Sequence, residues 1–241
     1  MENIIPTGFK KLDEKIGGGL QTPSLTIIAG GSMAGQRSFI FRILEYVAVI
    51  TNTPSAIFLM SMGKEEAVQG MMSSYARVDV HKVMTGFLPQ ADWPRLVSAA
   101  EKLSEAPIYY IRDKNNLNNL AKLDTELEML KTICQIKLLI IDDIEQLISA
   151  TQGDDVLVYC HLQKLMKKFN MSILIVNQFK KALSRPKPYI LLSELKESEQ
   201  RADLIIFMTQ NESDKQDKSI ITMKIAKNRT GPVGTIKINV T

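Results

Sequence analysis

Leu25-Thr26-Ile27-Ile28-Ala29-Gly30-Gly31-Ser32-Met33-Ala34-Gly35-Gln36-Arg37-Ser38 is the stretch that decides the fold. Its first five residues are apolar almost throughout, as a strand buried on both faces must be, and a glycine-rich turn then leads into a helical pattern over Gln36–Ile50. The same alternation continues outward. Leu25–Ala29, Ala56–Met60, Ile108–Ile111, Leu138–Asp142, Ile173–Val176 and Leu204–Met208 read as strands. Lys64–Ala76, Ala91–Ser104, Asn119–Ile136 and Asp154–Phe169 read as the helices between them. This order predicts one α/β domain over residues 1–241, with a mostly parallel central sheet flanked by helices on both faces. Ile220–Ile225 and Gly234–Val240, turning around Asn228–Gly231, add an antiparallel hairpin at the end. Gln210–Lys218 reads as a polar loop.

Composition narrows the classes without choosing among them. The chain has 241 residues, 45% hydrophobic and 23% charged, with a net charge of +4. That is enough chain for a sizeable core and a surface basic enough to accept nucleic acid without requiring it. Cys134 and Cys160 stand in apolar helical stretches without metal spacing and read as buried structural thiols. His81 reads as a surface or capping residue and His161 as a helix residue, neither a metal ligand. No apolar run reaches membrane-spanning length and no signal peptide opens the chain, so a cytoplasmic protein is expected.

Ligands of such sheets bind at the carboxyl ends of the strands. Gly30, Gly31, Ser32 and Gly35 follow the first of these, and Gly30 and Gly35 have the spacing of the phosphate loop G-x-x-x-x-G-K-[ST]. The lysine position holds Gln36 and the hydroxyl position Arg37, followed by Ser38. The backbone N–H groups of such a turn could still cradle an anion. The cation for the outer phosphates and the hydroxyl for magnesium are missing, and Arg37 brings a positive charge to the metal's place. A tight turn and nothing more is the competing reading. Leu138-Leu139-Ile140-Ile141-Asp142-Asp143 has the form of a strand ending in a magnesium-facing aspartate, Asp142; a buried strand followed by an acidic helix cap has the same form.

Further segments resemble, in one order, the motor domain of DnaB-type replicative DNA helicases. They are Ile5-Pro6-Thr7-Gly8-Phe9 with Leu12-Asp13 and Gly17-Gly18-Gly19-Leu20, then Val78–Lys82, Thr85-Gly86, Asp92-Trp93 and Ala106–Tyr109. Asn177-Gln178, Leu192–Ser198 and Ala202-Asp203 follow. Ala226-Lys227-Asn228-Arg229-Thr230-Gly231-Pro232-Val233-Gly234-Thr235 is the sharpest match. The resemblance implies a RecA-like P-loop fold with ATP and magnesium as cofactors. It casts Lys227 and Arg229 as the finger pair that reaches a neighbouring subunit's γ-phosphate, Gln178 as a γ-phosphate sensor and Asp142 as the magnesium aspartate. It also places DNA-facing loops near Ser149–Val156 and Lys180–Pro188. The second carries Lys180, Lys181, Arg185 and Lys187, suited to the phosphates of single-stranded DNA or to solvent alone.

The family's catalytic glutamate position holds Ser61, so three hydrolysis positions differ together: Gln36, Arg37 and Ser61. Asp143 is the remaining carboxylate that could position water. The family's amino-terminal domain and linker helix are not expected in this chain. Three readings follow. One is a helicase-like protein of DNA replication with a degenerate ATP site, binding a replicative helicase or its own kind through the finger hairpin. Another is a working DNA-dependent ATPase, with Arg37 turned to the phosphates and Asp143 holding water. The last is a protein-binding scaffold independent of nucleotide.

Overall fold

A computed structural model describes residues 3–30, 33–111, 120–178, 195, 199–209 and 220–239, with 33, 34 and 178 described by their backbone alone. Two two-residue strands, β1 (Ile4–Ile5) and β2 (Leu20–Gln21), pair antiparallel beside the main sheet. That sheet holds β3 (Ser24–Gly30), β4 (Ser55–Phe58), β5 (Ile108–Ile111), β6 (Leu138–Ile141), β7 (Ser172–Gln178), β8 (Leu204–Thr209), β9 (Ile220–Asn228) and β10 (Gly234–Asn239). Its order is β10-β9-β8-β3-β7-β6-β4-β5. β8 through β5 are parallel, and β9 and β10 add antiparallel as the sequence predicts.

Central β3 is buried at all seven positions, the reason its sequence reads as a continuous apolar run. Alternate residues feed two cores. Leu25, Ile27 and Ala29 join one face with Leu123, Leu127, Val158 and Leu162; Ile28 joins the other with Phe39, Ile40 and Ile43. Helices α6 (Leu120–Cys134), α7 (Ile144–Ala150) and α8 (Asp155–Phe169) cover the first face. The second is covered by α1 (Lys10–Ile16), α2 (Met33–Glu45) and α3 (Lys64–Ala76). α4 (Val80–Thr85) and α5 (Trp93–Glu105) pack outside α3 around a small satellite core.

Several boundaries differ from expectation, each for a local reason. The strands expected to reach Met60 and Asp142 stop at Phe58 and Ile141, because Met60 N–H turns to donate to the Asp142 carboxylate. The helix expected from Gln36 starts at Met33, and its last expected turn, Tyr46–Ile50, is π-helical. The expected helix from Ala91 begins as a 3₁₀ turn, Gln90–Asp92. α6 stops at Cys134, where Gln135 takes a positive φ. α1, α4 and α7 went unread; each has seven residues or fewer, too short to show a period. α7 and α8 therefore take the two ends of the expected loop Ser149–Val156, and Thr151–Asp154 remain outside both helices. Cys134 and Cys160 are half-buried free thiols, not fully buried ones. Residues 210–218 lie outside the described residues. Among those described, no helix is long and apolar enough to cross a membrane.

The opening motif is built into this frame. Asp13 on α1 accepts from Thr7 N–H at 2.9 Å and from the Thr7 hydroxyl at 2.7 Å, which ties the incoming chain to the first helix. Gly8 has φ +83°, and a Cβ there would lie 2.4 Å from the Tyr46 ring, so only glycine passes. Phe9 then stacks on Phe39 of α2, ring centroids 4.7 Å apart.

At the end of α2, Glu45 is buried; one oxygen accepts from the Ser74 hydroxyl at 3.2 Å and the other has no partner. Burial pushes its carboxyl up to about 8, against the weaker pull of Ser74 and Arg42. The folded chain thus holds this proton more tightly than the unfolded one. The group's contribution to stability is full below about pH 4.5 and falls as pH rises toward 8. Thermal melts between pH 5 and 9 should show wild-type stability declining with pH by on the order of 4 kcal/mol more than Glu45→Gln does. Equal slopes for the two proteins would contradict this account.

Candidate functional site

The carboxyl ends of β3, β6, β4 and β7 bring Gly30, Asp142, Ser61 and Gln178 to one edge of the sheet, as the sequence predicts. Gly30 is required by packing: a Cβ there would lie 2.7 Å from the Met208 carbonyl oxygen. Gly35 is not, since its Cβ would meet only an ordinary contact with Ile221. Because α2 already begins at Met33, only residues 31 and 32 separate strand from helix, and Gly35 lies within the helix. Gly31 and Ser32 are outside the described residues.

Gln36, in the phosphate-loop lysine position, points inward. It is 1% exposed, and its side-chain amide donates to the carbonyls of Ile28 at 3.4 Å and Asn177 at 3.2 Å. An amide suits that position, because it can donate to two backbone oxygens without carrying a charge into the core. Asn177 in turn donates its side-chain N–H to buried Glu199 at 2.6 Å. Gln178 closes β7 directly across from Gly30.

Arg37 extends the other way. Its guanidinium donates to the Ser61 hydroxyl at 3.0 Å and pairs with Glu66 at 3.5 Å. Ser61 donates onward to Asp142 Oδ2 at 2.8 Å. Asp142 has no exposed surface, and its carboxylate also accepts from Met60 N–H at 2.6 Å and from Ser61 N–H at 3.1 and 3.3 Å. Burial raises the Asp142 carboxyl above the usual range, against those hydrogen bonds. Positions 37 and 61, two of the three that differ, thus form one hydrogen-bonded chain with Asp142. Neighbouring Asp143 is occupied as the cap of α7, accepting from Glu145 N–H at 3.0 Å, Gln146 N–H at 3.4 Å and the Gln146 side chain at 3.2 Å. Ser38 is exposed and borders an open groove of about 680 Å³ between α2, α3 and α4, shared with Arg37, Arg42 and Arg77. Among the described residues, the side chains at 37, 61 and 142 that would hold a magnesium nucleotide are bonded to one another, which does not fit that group.

The finger candidates lie elsewhere. Arg229 N–H donates to the Asp203 carbonyl at 2.9 Å, and its guanidinium pairs with the Asp203 carboxylate at 2.9 Å. Asp203 is itself fixed to the start of β3, through Leu25 N–H at 2.9 Å and the Leu25 carbonyl at 2.8 Å. Arg229 therefore sits at the amino end of β3, about 17 Å along the strand from Gly30 at ~3.3 Å per residue. Its side chain is 67% exposed. Lys227 Nζ donates to the Gln200 carbonyl at 2.6 Å. Sequence reading missed Glu66, Glu199 and the acceptor role of Asp203, whose partners lie far along the chain. Lys180, Lys181, Arg185 and Lys187 fall outside the described residues. No cluster of potential metal ligands occurs among the described residues.

The profile of the DnaB-like helicase C terminal domain matches residues 4–241. The chain belongs to that family. It is 29% identical over 248 residues to a replicative DNA helicase DnaB of Geobacillus stearothermophilus, covering 97% of this chain and 54% of the relative. It is 27% identical to a replicative DNA helicase DnaC of Bacillus subtilis (strain 168), with 97% and 54% covered. The chain thus spans about half the length of the curated relatives it matches. Two solved structures share its RecA-like fold. One, an ATPase domain, superposes with TM-score 0.83 at 20% identity, over 98% of this chain and 87% of that one. The other, a DnaB-like replicative helicase studied with primase, superposes with TM-score 0.84 at 21% identity, over 98% and 59%.

Gln36 offers a direct check of the inward geometry. Gln36→Ala should cost about 2 kcal/mol in urea unfolding, the range for a buried side chain losing two hydrogen bonds. A change within about 0.5 kcal/mol is what a solvent-facing loop residue would show.

Proposed function

We propose that this DnaB-family motor domain serves DNA replication as a subunit that does not hydrolyse ATP and acts through a partner. The observation that carries the reading is the chain Arg37–Ser61–Asp142, joined by contacts of 3.0 and 2.8 Å. It uses the position of the magnesium hydroxyl, that of the catalytic glutamate and the magnesium aspartate for internal bonding. The inward Gln36 supports the same reading, because the loop's lysine position then offers no cation to the outer phosphates of ATP. Asp143 holds a helix rather than a water.

The Lys227–Arg229 pair supports action in trans. It lies at the other end of β3 from this chain's own phosphate turn, and Arg229 is exposed there. From that place its charge can reach the γ-phosphate held by a replicative helicase or by another copy of this chain, not one held at its own Gly30. A guanidinium so placed stabilises charge developing on transferring phosphate. Contact with single-stranded DNA would come from Lys180, Lys181, Arg185 and Lys187.

The test is magnesium-ATP binding and phosphate release by the purified chain, with and without single-stranded DNA. No turnover above background is expected. Turnover abolished by Asp142→Ala would replace this reading with a working ATPase. In the second arm, adding the chain to a cognate replicative helicase should change that helicase's ATPase rate, and the double variant Lys227→Ala, Arg229→Ala should abolish the change. An unchanged effect of the double variant would point to a nucleotide-independent scaffold.

A further inference from the structure

A magnesium–nucleotide centre of this fold holds its metal from two sides, the hydroxyl after the loop lysine and the aspartate at the end of the neighbouring strand. Those are positions 37 and 142 here. An ionised carboxylate has about four lone-pair sites, and at Asp142 three donor groups make four contacts with them. Oδ1 accepts from Met60 N–H and Ser61 N–H, and Oδ2 from Ser61 N–H and the Ser61 hydroxyl. One of these donors, the Ser61 hydroxyl, is itself held by Arg37, so that removing Arg37 frees it to turn away and opens a place on Oδ2. A carboxylate without exposed surface still requires a compensating positive charge nearby. Arg37 is placed to contribute one: its guanidinium stands one hydroxyl away, held by Ser61 at 3.0 Å and shared with Glu66 at 3.5 Å.

We propose that Arg37 is a built-in substitute for the divalent cation, so that this centre is complete without metal and excludes one. This deepens the reading that the chain does not turn over ATP, and rests on it for the assignment of positions 37 and 142. Arg37 acts here as a positioning residue, holding Ser61 against Asp142. The physical consequence is an exchange: remove the guanidinium charge and Asp142 loses its counter-charge, so a hard divalent ion, which favours carboxylate oxygen, becomes the best available replacement.

Thermal melting of the full chain in EDTA and in millimolar Mn²⁺, with Mn²⁺ binding followed by electron paramagnetic resonance, tests this. The wild type should melt at the same temperature in both, within about 1 °C, and bind no Mn²⁺. Arg37→Ala should melt lower in EDTA, recover part of the loss in Mn²⁺ and show bound Mn²⁺. The recovery should vanish when Asp142→Asn is added. If Arg37→Ala does not fold, Arg37→Gln keeps the length and an N–H donor without the charge, and the same gain of Mn²⁺ response is expected. A Mn²⁺-dependent rise in the wild type overturns the proposal. So does a charge-removing variant that gains no Mn²⁺ response. Phosphate release measured on the same samples separates the two claims: turnover by the wild type defeats the non-hydrolysing reading, whereas a metal response without turnover defeats only this one.

Discussion

The carboxylate of Asp142, sealed from solvent between two strand ends, is the constraint on which the rest of the centre depends. It draws the N–H groups of Met60 and Ser61 out of the ladder, and so sets where β4 and β6 stop. Having fixed Ser61, it fixes what Ser61 can offer to Arg37, and through Arg37 the neighbouring Glu66 of α3. Burying such a group is costly unless every acceptor is met. The surrounding backbone and side chains meet them with contacts of 2.6 to 3.3 Å. A second polar line begins one residue earlier, at Gln36, and passes through Asn177 to Glu199, joining α2, β7 and the segment before β8. Adjacent residues of one helix thus anchor β3 and β7 on the one hand and the ends of β4 and β6 on the other.

The sheet also separates two kinds of chemistry by its own length. Everything that resembles a nucleotide centre gathers where the parallel strands end. Arg229 is held where β3 begins, by Asp203, which binds Leu25 through both its backbone and its side chain. β3, buried at all seven of its positions, spans the gap. In a parallel sheet the two ends of a strand face opposite sides of the domain, so one chain cannot close this gap with a side chain. The separation is a property of the fold, set by strand rise, and it survives whatever happens to the residues at either end.

Much of this was legible in the sequence, and what was not has a physical cause. The six parallel strands stood out because burial on both faces removes polar residues from them, as β3 and β6 show. The hairpin of β9 and β10 stood out through its turn residues. α1, α4 and α7 did not, since fewer than about two turns leave no repeating face to detect. At the centre, Asp142 was legible because an apolar run ending in acid is a local pattern. The inward aim of Gln36 was not, for a sequence position carries no direction, and the early start of α2 at Met33 is what swings it. The pairings of Arg37 with Glu66 and of Arg229 with Asp203 join residues more than a score apart in the chain, and only the folded backbone brings them together.

The bonded chain of Arg37, Ser61 and Asp142 also limits how this sequence can change. Residues that share a hydrogen-bond network do not contribute additively. A lysine placed at position 36 would bring an ammonium into a pocket shaped for an amide. A hydroxyl restored at position 37 would leave Asp142 buried without its cation. A glutamate restored at position 61 would meet Arg37 while crowding Asp142 with like charge. Each step toward an ordinary phosphate loop, taken singly, disturbs contacts that the other positions now rely on. Turning this centre into an ordinary phosphate loop therefore takes simultaneous change at several sites.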